Sequence, residues 1–368
     1  MRSTAVDFYR GLTITLMIIV NTPGTWDYVY APLRHADWHG CTPTDLVFPS
    51  FMFIIGVSMW FSFGKYDRKW SPELGYKILK RTTILFLLGF LLNKFPVYWK
   101  DFDQWRIMGV LQRLGLGFGL ASVLVLHFSR RHLLWIAGCI LLLYWGLLYW
   151  FGQPGADPYA LDSNAVLRLD RWLFGEKHLY HGERIYFDPE GVLSTLPAIV
   201  TVLLGWWSGE LISARDRQKD LLVRDLLVYG LICGFTALLW DLFFPINKKL
   251  WTSSYVLYAG GISMILLAGS VWLTEIRSWR SGANFFQTIG ANPLFAYLLS
   301  EVLAIGLSAI QWKTADGKNQ SAFSWIYETV FKPIEGAELG SFLFAIVFAL
   351  FCWMVCKYLY DRKIYVKI

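Results

Sequence analysis

Charge is the scarcest thing in this chain. Asp, Glu, Lys and Arg make up 17% of its 368 residues and hydrophobic residues 55%, whereas a soluble globular domain carries about 25% charge. That deficit excludes an ordinary water-soluble domain. Cysteine is sparse too: Cys139, Cys233, Cys352 and Cys356 fall within apolar runs and Cys41 has no obvious partner, so there is no disulfide framework. Cys352 and Cys356 share a helix face, but no neighbouring His or carboxylate completes a metal site. No internal repeat is visible, which slightly disfavours a transporter built from inverted halves. No break in composition divides the chain, and 1–368 reads as one transmembrane domain.

What is abundant is long apolar sequence. A helix needs roughly 20 predominantly apolar residues to cross the hydrocarbon core. Runs of that order occupy 46–64, 78–92, 107–128, 133–151, 192–212, 221–240, 255–274, 285–310 and 341–360, with a shorter one at 11–20. The expectation is an all-α polytopic membrane protein of about ten transmembrane helices. Lys and Arg gather in alternate short connections: Lys65, Arg68 and Lys69, then Arg130 and Arg131, Arg215, Arg217 and Lys219, Arg277 and Arg280, and finally Arg362 and Lys363. By the positive-inside rule these face the cytoplasm, and both termini lie there. The net charge of +7 stems from that bias and calls for no nucleic acid. The first run has an Arg-containing start, but Asn21-Thr22-Pro23-Gly24 is a poor cleavage site, so it reads as a retained helix.

Two loops face outward, 152–190 and 311–339. The first is long and rich in aromatics, including Tyr159, Trp172, Tyr180 and Tyr186, and suits a cap over a pocket. The second is more polar, with room for a short helix around 321–331.

Polar groups inside membrane spans are expensive, so each is a functional candidate, with an interhelical hydrogen bond as the plainer alternative. Counted from Phe8 to Val20, the first helix is about 13 residues, roughly 20 Å against about 30 Å of hydrocarbon. Asn21 and Pro23-Gly24 then lie below the outer surface, and 21–45 dips into a cavity. That segment holds His35, Asp37, His39 and Asp45. Histidine is a natural general base; the plainer reading is a surface histidine. His35-x-Asp37-x-His39 is a weak metal pattern that nothing distant completes. Arg113, the pair Asp188 and Glu190, Glu301, and Asn247, Lys248 and Trp251 cluster toward the same outer side. Acids, amides and an indole face suit a sugar; loop ion pairs and the interfacial aromatic belt are the alternatives. At the inner face, Lys77, Lys80 and Arg81 suit lipid headgroups or the phosphates of a nucleotide-bearing donor. Gly109, Gly115, Gly117 and Gly119 lie in an apolar helix, where they permit close helix approach and form no phosphate loop.

Several longer motifs occur in order: Val6-Asp7-x-x-Arg10-Gly11, Val20-Asn21, the stretch from Arg34 to Pro49, Gly109-Val110-Leu111-Gln112-Arg113-Leu114, Asp188-Pro189-Glu190-Gly191 with Ser194-Thr195, Asn247-Lys248-x-Leu250-Trp251, and Gly290-x-Asn292. In these the chain resembles the heparan-α-glucosaminide N-acetyltransferase family, in its bacterial branch, over nearly its whole length. The resemblance implies an acyltransferase of the inner membrane. It would move an acetyl group from cytosolic acetyl-CoA to an amino sugar of the glucosamine or N-acetylglucosamine type on the other side, without a metal. It implies His35 as catalytic residue with Asn21 in support; on the reading of the residues themselves, Asp45, Arg113, Asp188, Glu190, Asn247, Lys248, Trp251 and Glu301 are placed toward the acceptor. Lys80, Arg81 and Asn292 fall toward the donor, and a homodimer is in keeping with related enzymes. Ser50 and Met108 depart from the lysosomal member, which has Trp and Pro there, and that member's large luminal N-terminal domain has no counterpart in this sequence. The rival class is a transporter or flippase for a sugar or lipid-linked sugar, which needs neither a nucleotide site nor His35. A plain membrane scaffold would leave 21–45 unexplained.

Overall fold

A computed structural model describes residues 4–97, 104–314 and 316–366; the extreme N-terminus, with Arg2, lies outside the described residues. The regular structure is almost entirely helical: α1 (Thr4–Asn21), α2 (Val47–Phe63), α3 (Pro72–Leu92), α4 (Val110–His127), α5 (Arg130–Phe151), α6 (Ala165–Phe174), α7 (Thr195–Ala214), α8 (Lys219–Asp241), α9 (Ser253–Val271), α10 (Arg280–Gly290), α11 (Pro293–Ala309), α12 (Ala322–Ile326) and α13 (Ala337–Asp361). A small hairpin, β1 (Gln311–Lys313) with β2 (Asn319–Ser321), precedes α12 and pairs Gln311 with Ser321.

Among the described residues seven helices are long and apolar enough to cross a membrane, or eight if a bent pair counts as one span. The remaining two apolar runs form α1 and α3. Both dilute their hydropathy with charge: Asp7 and Arg10 in the first, Glu73, Lys77, Lys80 and Arg81 in the second. The bent pair is α10 with α11, which meet at 70°. The sequence reads there as one continuous span, but Pro293 has no N–H to donate and its ring disfavours a helical residue before it. Asn292 accordingly leaves the helical region, with φ −129° and ψ 56°.

A second correction concerns α1. It starts at Thr4, so it has 18 residues and a length of about 27 Å. Its shortness therefore does not carry the argument for a sunken Asn21. The chain beyond Asn21 is nevertheless irregular as far as Val47, apart from 3-10 turns at Ala31–Leu33 and Pro43–Leu46.

Close packing needs small residues where helices touch. One such case is α2 on α7. A Cβ on Gly56 would sit 1.9 Å from the Val202 carbonyl oxygen, and one on Gly205 1.8 Å from that of Phe53. Around this pair the buried core runs through Met52, Phe53, Ile54, Val202 and Leu203. The beginning of α1 defines a near end of the bundle, and Asn21 marks the far end.

Candidate active site

The far end holds a cavity of about 220 Å³. Met17, Val20 and Asn21 of α1 line it, with His35, Thr44, Val47 and Phe48, Arg106 from the segment before α4, and Val110, its first residue. The 152–190 loop contributes Tyr180, Glu183, Pro189 and Glu190, and the α8–α9 connection contributes Lys248 and Lys249.

His35 projects into this space from the loop after α1, its side chain 36% exposed. Its Nδ1 lies 2.7 Å from Asp45 Oδ1, which leaves Nε2 without a partner among the described residues. Asp45 is buried and well anchored. Its Oδ2 accepts the backbone N–H of Ala36 and of Thr42, each at 3.0 Å, so the carboxylate closes the turn that carries His35. Lys248 Nζ stands 3.1 Å from His35 Nδ1 and 3.5 Å from Asp45 Oδ1. Burial lowers the Lys248 pKa, against the opposing charges of Asp45 and Glu190.

The loop bearing Lys248 is fixed by Asn247. The Asn247 side-chain oxygen accepts the Leu250 N–H at 2.8 Å, its backbone N–H donates to Thr252 Oγ1 at 3.0 Å, and its amide meets His39 Nδ1 at 3.3 Å. Gly40 lies alongside and donates its N–H to the Ile246 carbonyl at 2.8 Å. Its φ of +98° is a conformation that glycine alone adopts without strain. Lys249 reaches the Asp37 carbonyl at 3.0 Å and Glu183 at 2.7 Å.

On the opposite wall Arg106 holds Asp188 through two bonds, 2.9 and 2.8 Å, and Glu190 at 2.7 Å. Burial works against the Arg106 charge, but the two carboxylates raise its pKa above the usual arginine value. Its guanidinium also lies 4.5 Å over the Tyr180 ring. Asn21 donates to Glu301 Oε1 at 3.5 Å.

Of the residues expected from sequence, His35, Asn21, Glu190 and Lys248 thus line one cavity, and Asp45 stands behind His35. Others are elsewhere. Trp251 is 1% exposed, packed against Phe48 and Tyr255 with Arg113 stacked 4.9 Å from its ring, so its face has no room for a sugar. Arg113 is fully buried and bonds the Gly191 carbonyl and Ser194. Asp188 and Asn247 are buried partners of Arg106 and of the loop. Asn292, expected near the donor, spends its amide on the C-terminal tail, donating to the Ile364 carbonyl at 3.0 Å and accepting the Val366 N–H at 2.8 Å. Sequence reasoning missed Arg106 and Glu183, and noticed Tyr180 only as one of the aromatics of the capping loop. The available signal for Arg106 was the buried acidic pair at 188 and 190, which needed a cation.

A wider cavity of about 1020 Å³ opens at the near end, between α1, α2, α7 and α8. Arg10, Lys65, Arg68 and Lys219 line it, with Asp7, Asp216 and Glu275. Lys219 bonds Glu275 at 2.8 Å and Asp216 at 3.1 Å, and Arg10 bonds Ser58 at 3.0 Å. Lys65 is exposed and Arg68 stacks 3.7 Å from the Trp60 ring; neither has a carboxylate partner among the described residues. Lys80 and Arg81 do not line this cavity. Lys80 is exposed on α3 and Arg81 lies 4.6 Å over the Phe118 ring.

The family description "heparan-alpha-glucosaminide N-acetyltransferase, catalytic" matches residues 2–172, a stretch that includes Asn21, His35 and Asp45. Heparan-alpha-glucosaminide N-acetyltransferase of Mus musculus is 30% identical over 373 residues, covering 86% of this chain. The protein of the same name from Homo sapiens is 30% identical over 377 residues, covering 87%. The chain spans about half the length of these curated relatives, 55% in each case. The chain is thus similar to heparan-alpha-glucosaminide N-acetyltransferases along most of its length, and the match to the catalytic family description falls in its first 172 residues.

Proposed function

We propose that this chain is a membrane acetyltransferase that takes the acetyl group of cytosolic acetyl-CoA and delivers it to the amine of an amino sugar across the membrane. The observation that carries the reading is the far-end cavity, where a histidine backed by a buried, anchored carboxylate faces open space. In this reading the chain crosses the membrane about ten times, with α1 and α3 as crossings and both termini in the cytoplasm of a bacterial cell. The near end is then the cytoplasmic mouth and the far end the acceptor side.

Nε2 of His35 takes a proton from the acceptor nitrogen as that nitrogen attacks the thioester carbonyl. The C–S bond then breaks, and the sulfur takes the proton that His35 held and leaves as the thiol of coenzyme A. Asp45 holds the ring through Nδ1, and the Asn21 amide, presented at the end of α1, is suited to the developing oxyanion. Glu190 and Lys249 stand where sugar hydroxyls need partners. The donor's phosphates are assigned to Lys65 and Arg68 rather than to Lys80 and Arg81, because only the first pair lines a cavity large enough for a nucleotide.

The test is to titrate purified protein in detergent with acetyl-CoA, following thermal stability and thiol release with glucosamine as acceptor. Stabilisation with transfer that vanishes in His35→Ala supports the reading. Folded protein that neither binds acetyl-CoA at millimolar concentration nor releases thiol overturns it and favours a sugar transporter.

A further inference from the structure

Nδ1 of His35 has two neighbours of opposite charge at nearly equal range, Asp45 Oδ1 at 2.7 Å and Lys248 Nζ at 3.1 Å. One ring nitrogen cannot serve both, since it either donates its proton to the carboxylate or accepts one from the ammonium. Asp45 does not need Lys248 to be held in place, because the N–H groups of Ala36 and Thr42 already bond its other oxygen. Lys248 in turn is not placed by chance, since Asn247 and the Gly40–Ile246 bond fix the backbone on which it rides. Its Nζ meets the side of the ring that faces away from Nε2. Lys248 lines the cavity, as a sugar contact expected from sequence would, and its place beside Nδ1 also gives it an influence on the imidazole.

A general base has to release each proton it takes, and it works best when its proton affinity is matched to the working pH. An imidazole beside a lone carboxylate grips its proton more tightly, and a cation at the same distance opposes that grip. We propose that Lys248 is a positioning residue for acyl transfer: with the Nδ1 proton donated to Asp45, its ammonium acts on the ring by its charge and offsets the pull of Asp45 on the imidazole proton, so that the ring lets go between turnovers. The proposal rests on the acyl-transfer reading of the cavity. The other charges facing this group are Lys249 on the same loop, Glu183 and Glu190 on the 152–190 loop, and Arg106. Of these, Lys249 is paired with Glu183, and Glu190 with Arg106, which leaves Lys248 as the cation in contact with the ring.

The experiment is the pH dependence of kcat/KM, from about pH 5.5 to 9, for the full chain and for Lys248→Met, Lys248→Gln and Lys248→Arg. A charge at this range moves a titration by about one to three units. In the two neutral variants the acid limb should therefore move up by about one unit or more. Activity then falls about tenfold near pH 6 and recovers toward pH 9, while Lys248→Arg keeps the limb where it was. Stabilisation by acetyl-CoA should persist in all three, which checks their folding. A neutral variant that is slower by the same factor at every pH, or that matches the unaltered protein, overturns the proposal, as does an arginine variant that behaves like methionine. Loss of the acyl-transfer reading itself looks different: the unaltered protein then transfers nothing, or His35→Ala transfers as well as it does.

Discussion

The two ends of the bundle differ in how far their charges are matched. At the far end most ionic groups are matched: Arg106 with Asp188 and Glu190, Lys249 with Glu183, Lys248 with Asp45, around a cavity of about 220 Å³. At the near end a cavity of about 1020 Å³ keeps Lys65 and Arg68 without carboxylate partners among the described residues. Matched charges inside a small space are held in fixed geometry and do little for binding affinity by themselves, which suits the positioning of a small reacting group. Unmatched cations around a wide mouth suit a large polyanion that brings its own negative charge. Binding energy and chemistry therefore sit at separate ends, a division that substitutions at either end can break.

The largest effect belongs to His35. Replacing it by Ala should reduce acetyl transfer by about 10²–10⁴, the usual worth of a general base, while acetyl-CoA still stabilises the protein. Loss of donor binding together with turnover would mean that the two ends are not separable. Next comes Arg106→Met, which strands Asp188 and Glu190. Breaking a buried pair costs about 3–5 kcal/mol, and with the Arg106 side chain 21% exposed the lower part of that range applies. A lowered melting temperature, only partly restored by acetyl-CoA, is expected in thermal unfolding; an unchanged one would show that this wall is not held by its charges. Third, the double variant Lys65→Gln, Arg68→Gln should raise the KM for acetyl-CoA about tenfold with kcat little changed, the pattern of lost uniform binding, whereas Lys80→Gln should leave both alone. The reverse result would return the donor to α3.

How much of this was legible in the sequence depends on the range of the interactions. Helices are local, and nine of the ten apolar runs lie along single helices, α1 to α5, α7 to α9 and α13. The break between α10 and α11 was marked by Pro293, but an apolar run on both sides concealed it. Asn21, His35 and Asp45 drew attention together because they sit in one short segment, although the sequence put Asp45 toward the acceptor and not behind the His35 ring. Arg106 was not, since its partners are 82 and 84 positions away and nothing local declares a cation as the mate of a distant acid. Trp251 misled for a related reason. An aromatic residue beside polar ones looks like a sugar platform, and only the fold reveals that Phe48, Tyr255 and Arg113 already cover it. Lys248 lay between these cases: the motif drew attention to it, but only the distance to His35 says which side of the ring it serves.

The smallest predicted effect tests an acid at the far end whose charge is not matched. Asp170 on α6 is 1% exposed. Its Oδ1 accepts the Val192 N–H at 3.0 Å, and its Oδ2 has no hydrogen-bond partner among the described residues. Gly191 lets the chain pass this close, because a Cβ there would stand 1.9 Å from Oδ2. Burial pushes the Asp170 carboxyl up to about 7, reinforced by Asp188 and opposed by the Val192 bond and Arg113. An acid raised in this way binds more protons folded than unfolded, so its contribution to stability declines as pH rises from about 4 to about 7 and is level above that. Asp170→Asn keeps the acceptor for Val192 and removes the buried charge. Its melting temperature should equal that of the unaltered protein near pH 4 and exceed it by a few degrees at pH 8. Melting curves that stay parallel across this range would mean that Arg113 neutralises Asp170 after all, and this acid would then join the matched charges of the far end.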